Sequence, residues 1–150
     1  MQKFNILLII SFLFFFSSCS KEVKRESIVI EKKLILQAVE AYNEGKKALE
    51  DGDALYAAKK FNEVEIMFPQ SKWAAKSTLM AAYAYYSQDY YFDTIEELKI
   101  FLRKYPKHKD IDYAHYMMAL AYYEQIVDEK KDLNSIILSK KKFEYVINTF

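Results

Sequence analysis

Cys19 is the single cysteine of a 150-residue chain, and the residues before it give its thiol a defined place. Lys3 is followed by an apolar run from Ile6 to Phe16, broken only by Ser11, and then by Ser17-Ser18-Cys19-Ser20. A basic residue, a short apolar stretch and a small-residue cleavage site make up a secretory signal, here with the cysteine directly after the cut. Crossing ~30 Å of hydrocarbon takes about 20 apolar residues, so the run is too short to be a membrane span. Export leads to an oxidising compartment, where a lone free thiol is awkward. Other chemistry-bearing residues are sparse. His108 and His115 lack metal-ligand spacing, and Asp110 and Asp112 beside them read as helix-start acids. With Gly45 and Gly52 as the only glycines there is no phosphate-cradling loop, and no serine sits in a nucleophile motif. No catalytic residue, metal site or cofactor is expected, and the chain does not read as an enzyme.

The Ser17-Ser18-Cys19 junction resembles the lipobox of bacterial lipoproteins, with Phe16 where that motif usually carries leucine. The resemblance implies that the Cys19 thiol receives a diacylglycerol group, that residues 1–18 are removed, and that the new N-terminus is palmitoylated. Lipidation would also dispose of the free thiol. Ser20 follows the cysteine where an Asp tends to retain such proteins in the inner membrane, so the resemblance implies the periplasmic face of the outer membrane. Each buried methylene contributes ~0.8 kcal/mol and stable anchoring takes two or more chains, a condition multiple acylation at Cys19 meets.

Without residues 1–18 the chain carries 21 basic and 21 acidic side chains. That balance offers nothing to nucleic acid. Two Gly and two Pro in the whole chain speak against a β-rich fold full of tight turns. Thirteen tyrosines make either a packed or an exposed aromatic surface, depending on where they fall.

Residues 19–33 are charged, with Ile28, Val29 and Ile30 the main apolar exceptions, and read as a tether. From Leu34 to Phe150 apolar residues recur at three and four, the helical period. The spacing predicts helices over 35–50, 54–67, 72–88, 91–104, 110–127 and 134–149, with Asp53, Asp93 and Asp110 at helix starts and Gly52 at a helix end. Phe68-Pro69 and Tyr105-Pro106 close two segments 37 residues apart, since proline cannot continue a helix. That register aligns small residues Gly45, Ala82 and Ala119, then Ala57 with Thr94, and the large apolar anchors Phe61 with Leu98. Phe143 takes the anchor slot in the third unit after an eight-residue insertion within IVDEKKDLNSII. These are marks of an all-α, tetratricopeptide-like right-handed superhelix with repeats at about 35–70, 71–107 and 108–150. The chain stops one residue short of the next proline slot, so a longer parent protein is expected.

Taken together, the Cys19 junction, Phe68-Pro69-Gln70-Ser71, Ala82-Tyr83-Ala84-Tyr85-Tyr86, Tyr105-Pro106 and Ile111-Asp112-Tyr113-Ala114-His115-Tyr116-Met117 resemble the BamD family of outer-membrane β-barrel assembly lipoproteins. The resemblance implies a non-catalytic scaffold that helps recognise unfolded barrel proteins and deliver them for insertion. Its implied partners are a barrel-inserting protein with POTRA domains, other lipoproteins of the complex, the client chains and, through Cys19, the membrane. The alternative is another envelope scaffold of the same fold, of the cell-division or secretin-pilot type.

In such arrays the first helix of each pair lines the concave face. The corresponding slots hold Val39, Tyr42, Lys46 and Leu49, then Lys76, Leu79, Tyr83 and Tyr86, then Tyr113, Tyr116, Leu120 and Tyr123. From these, Tyr42, Lys46, Lys76, Tyr83, Tyr86, Tyr113, Tyr116 and Tyr123 are the candidate groove for an extended, aromatic-rich peptide. Rings supply contact area, hydroxyls meet exposed backbone, and ammonium groups can meet a terminal carboxylate. Tyr85 and Tyr122 are expected to pack inside.

Overall fold

The computed structural model describes the backbone of residues 22–126 and 133–150, with side chains from Ile30 onward. Cys19, the segment 1–18 and residues 127–132 of the insertion lie outside the described residues. Six α-helices and no strands are found among those described: α1 (Glu22–Glu50), α2 (Ala54–Met67), α3 (Ala74–Tyr86), α4 (Tyr91–Lys104), α5 (Ile111–Glu124) and α6 (Leu133–Thr149). The all-helical reading therefore holds, and α2 and α4 have the expected bounds. The main departure is α1, which begins at Glu22 inside the stretch read as a tether. Glu, Lys and Arg are good helix formers, so a charged segment can be helical without a core beneath it. Residues 30–37 are all exposed, and burial begins at Ala38. The chain divides into two units, one ending at Leu34 and the other running from Ile35 to Phe150, which holds the core.

The 37-residue register is written into the backbone hydrogen bonds. At the end of α1 the N–H of Gly52 donates to the Leu49 carbonyl at 3.2 Å and that of Asp53 to the Ala48 carbonyl at 2.9 Å. This is a Schellman closure around a residue at positive φ, here +85°. At the end of α3 it recurs: Asp89 donates to Tyr86, Tyr90 donates to Tyr85, and Asp89 holds φ +62°. At the end of α5, Ile126 donates to Tyr123 at 3.0 Å, the same bond once more, just before the insertion. The proline turns match as closely. Phe68 and Tyr105 have φ/ψ of −132°/51° and −125°/53°, pushed out of the helical region by the proline that follows. Asp53 caps α2 by accepting from the Tyr56 N–H at 3.0 Å. Asp93 and Asp110 stand at the starts of α4 and α5 without making such a bond.

Packing runs from each helix to the next. Gly45 of α1 lets the Phe61 ring approach so closely that a Cβ there would lie 2.9 Å from it. The other small slots are buried too: Ala57, Ala82, Thr94 and Ala119 at 0 % exposure. Four residues before Phe143 stands Ser139, the third-unit counterpart of Ala57 and Thr94, which a reading centred on the large anchors passes over. It is buried, and its hydroxyl donates to the Ala119 carbonyl at 3.2 Å. The insertion therefore adds length without moving the register of α6. Two apolar clusters result, one around Phe61, Val64 and Ala81, the other around Leu98, Phe101 and Met118, with Tyr85 packed on the first and Tyr122 on the second as expected. Across α2 and α4, Asn62 donates to Glu97 at 2.7 Å and Lys104 pairs with Glu65. This is the expected tetratricopeptide-like architecture.

Candidate binding cleft

A cleft of about 350 Å³ opens between α3 and α5. Lys76, Leu79, Met80 and Tyr83 line it from α3, and Asp110 and Tyr113 from the start of α5. The α3 residues share one face because helix positions three and four apart stack. The slot that borders this cleft is filled differently one register earlier. Trp73 and Asp110 are 37 residues apart and both immediately precede their helices. Trp73 fills its space, its ring centroid 5.0 Å from that of Tyr42. Asp110 is too small to do the same.

That packing corrects one expectation. Tyr42 is 4 % exposed and lies between Trp73 and Phe61, so it is a core residue and not a groove ring. Leu79, its counterpart in α3, is likewise mostly covered and forms the floor. Lys46 is exposed on α1 and does not line the cleft. Lys76 does, with its ammonium 5.0 Å over the Tyr42 ring and 5.6 Å over Trp73. Cation–π contacts of this kind contribute about 0.5–1 kcal/mol at exposed sites. Here they also hold the positive charge at one end of the cleft.

The tyrosines continue from there. Tyr83 and Tyr113 are about four-tenths exposed, as is Tyr116. Burial pushes the Tyr113 hydroxyl above the usual phenol range, and the neighbouring hydroxyls of Tyr83, Tyr86 and Tyr116 push it further. Tyr86 is raised by burial, then by Glu124 and Tyr116. These four hydroxyls thus share one region. Tyr86 is steadied by an edge contact with Tyr91 at 5.7 Å, and Tyr116 by one with Phe143 at 6.2 Å. Tyr123, more than half exposed, extends the α5 stripe. Of the eight candidates, Lys76, Tyr83 and Tyr113 line the cleft, Tyr86 and Tyr116 adjoin it, and Tyr123 shares the helix stripe. Met80 and Asp110 were missed. The Trp73/Asp110 mismatch at one register step was the signal that could have found Asp110.

Phenol hydroxyls, aromatic faces, one ammonium and the Asp110 carboxylate offer a polypeptide segment both ring contact and hydrogen-bond partners. Among the described residues no group of three or more His, Cys, Asp or Glu is placed to hold a metal ion. No described helix is long and apolar enough to cross a membrane. Residues 36–150 match the YfiO family, described as an outer membrane lipoprotein. The chain is similar to proteins named outer membrane protein assembly factor BamD from several bacteria. It is 33% identical to that of Caulobacter vibrioides over 116 residues, which cover 77% of this chain and 37% of the relative. For Rickettsia prowazekii the figures are 34% over 109 residues, 73% and 43%. For Neisseria gonorrhoeae they are 32% over 84 residues, 56% and 32%. This chain thus spans less than half the length of each.

Proposed function

The chain belongs to the YfiO family of outer membrane lipoproteins, and from that premise we propose that it is a non-catalytic scaffold of outer-membrane protein assembly. The relatives' shared name, assembly factor, supports this role. In this reading residues 1–18 are a signal peptide and Cys19 carries the diacylglycerol and palmitoyl chains. Residues 19–33 connect the anchor to a repeat domain over 34–150, with repeats at about 35–70, 71–107 and 108–150. The domain works on the periplasmic face of the outer membrane beside a barrel-inserting POTRA-domain protein and further lipoproteins. Converting Cys19→Ser should leave the chain unlipidated by mass spectrometry and with residues 1–18 still attached, because acylation comes before the cut; finding Cys19 unmodified in the unsubstituted protein, or Cys19→Ser cleaved at the same bond, would refute the anchor.

The client site is the cleft. An extended C-terminal segment of an unfolded barrel protein lies along Tyr83, Tyr86, Tyr113, Tyr116 and Tyr123, with its terminal carboxylate at Lys76. The observation that carries this is the convergence of an aromatic-held ammonium with exposed tyrosines in one cleft. Asp110→Trp copies the arrangement at Trp73 and should fill the cleft while leaving the helices intact. Crosslinking of a photoactivatable peptide ending in Phe should then fall at least fivefold, and amidation of the peptide terminus should mimic Lys76→Gln. Undiminished crosslinking in a folded Asp110→Trp protein would remove the cleft from the client path.

A further inference from the structure

The cleft between α3 and α5 carries two opposite charges that do not meet. Lys76 holds its ammonium over the rings of Tyr42 and Trp73. Asp110 lines the cleft from the head of α5, and among the described residues no ion pair joins it to Lys76. Its carboxylate is not used to hold the helix. Asp53 at the head of α2 accepts from the Tyr56 N–H at 3.0 Å, whereas Asp110 makes no side-chain capping bond. His108 does not neutralise it either. The Asp110 N–H donates to Nδ1 of His108 at 3.3 Å, so that nitrogen carries no proton, although it lies 3.6 Å from Oδ2. The Lys109 ammonium stands 4.0 Å from Oδ1 on a side chain that is 84 % exposed, where solvent and salt screen it. A half-exposed carboxylate thus borders the cleft with its capacity to accept largely unspent.

We propose that Asp110 is a specificity-determining residue of this cleft, selecting client segments that carry Lys or Arg among the last few residues before a free C-terminus. The inference rests on the client reading given above. A cleft of about 350 Å³ is near the lower limit of ~300 Å³ for ligand pockets, so it seats only the end of a chain. With the terminal carboxylate at Lys76, a cationic side chain that reaches Asp110 must come from that same end. Leu79 and Met80 offer the stem of such a side chain an apolar surface to lie on. An acidic side chain in its place meets a carboxylate of like charge and is rejected.

The test titrates the full chain into three fluorescent peptides and follows anisotropy. The peptides are identical except that the two residues before a terminal Phe are Lys-Lys, Gln-Gln or Glu-Glu. The Lys peptide should bind about fivefold more tightly than the Gln peptide, the size of one partly exposed ion pair, and the Glu peptide more weakly than either. Asp110→Asn keeps the shape of the side chain and should erase the advantage of Lys over Gln while leaving the affinity for the Gln peptide in place. Asp110→Lys should reverse the order, which a loss of structure cannot do. Asp93→Asn, at the exposed head of α4 and outside the cleft, should leave the order unchanged. Equal binding of the three peptides, or a Lys preference that survives in Asp110→Asn, would overturn the proposal and leave the client reading standing. Saturable binding of none of them would overturn both.

Discussion

Replacing Gly45 by alanine should weaken this fold, although the same change in an ordinary helix interior strengthens it. Ala is favoured over Gly in a helix by about 1 kcal/mol. Against that, the new Cβ would stand 2.9, 3.0 and 3.1 Å from Cε1, Cδ1 and Cζ of Phe61. The ring has nowhere to go. It is 0 % exposed, and Tyr42 packs on it with centroids 5.4 Å apart. Forcing a methyl group into such a core costs ~1–3 kcal/mol, so the net loss should be about 1 kcal/mol. In a Phe61→Leu background the clash is relieved and Gly45→Ala should become stabilising by about 1 kcal/mol, a coupling of ~2 kcal/mol in the double-mutant cycle. Gly52→Ala is the control. A Cβ there meets nothing within 4 Å, but φ is +85°, so backbone strain of ~1 kcal/mol should appear whatever residue occupies 61. Urea unfolding followed by circular dichroism measures all six proteins, Gly52→Ala being made with Phe61 and with Phe61→Leu. If Gly45→Ala raises the midpoint with Phe61 intact, helix propensity has won and the close approach of α1 to α2 is not what the structure implies.

Asp89→Gly should stabilise by about 0.5–1 kcal/mol, because φ +62° suits glycine and strains aspartate. In Asp89→Asn the Tyr91 hydroxyl, pushed up to about 12 mainly by its hydrogen bond to the Asp89 carboxylate, should titrate closer to its ordinary value; phenolate absorbance reads this directly. His115 is held below its usual pKa by burial and then by Lys142. The unfolded chain therefore takes up this proton first as pH falls, and the stability contributed by neutral His115 is full above about pH 6.5 and lost below it. His115→Leu should flatten the fall in urea midpoint between about pH 7.5 and pH 5.5. Asn62→Leu removes the donor from half-buried Glu97, whose carboxyl burial already raises, and should cost ~1–3 kcal/mol at neutral pH, with the loss shrinking as Glu97 protonates in acid.

The sequence announced what the backbone needs and was nearly silent on what fills the space between units. Prolines after Phe68 and Tyr105, and Gly52 at positive φ, act through rules that hold in any context, so helix ends and the 37-residue step could be read directly. Even the third helix pair kept its register, because a small residue at 139 and a large one at 143 repeat the pattern of 57 and 61. The start of α1 was not legible by the same means. The charged stretch over 19–33 carries no sustained apolar period to betray a helix, only the modest propensity of Glu, Lys and Arg. Tyr42 was misplaced for a different reason. Its slot faces the groove in the repeat pattern, but whether a slot is open depends on the residue heading the next helix pair, and Trp73 closes it where Asp110 does not. Function in an array of this kind is therefore to be sought where two register-related pairs disagree, since the residues that build the fold are those that repeat.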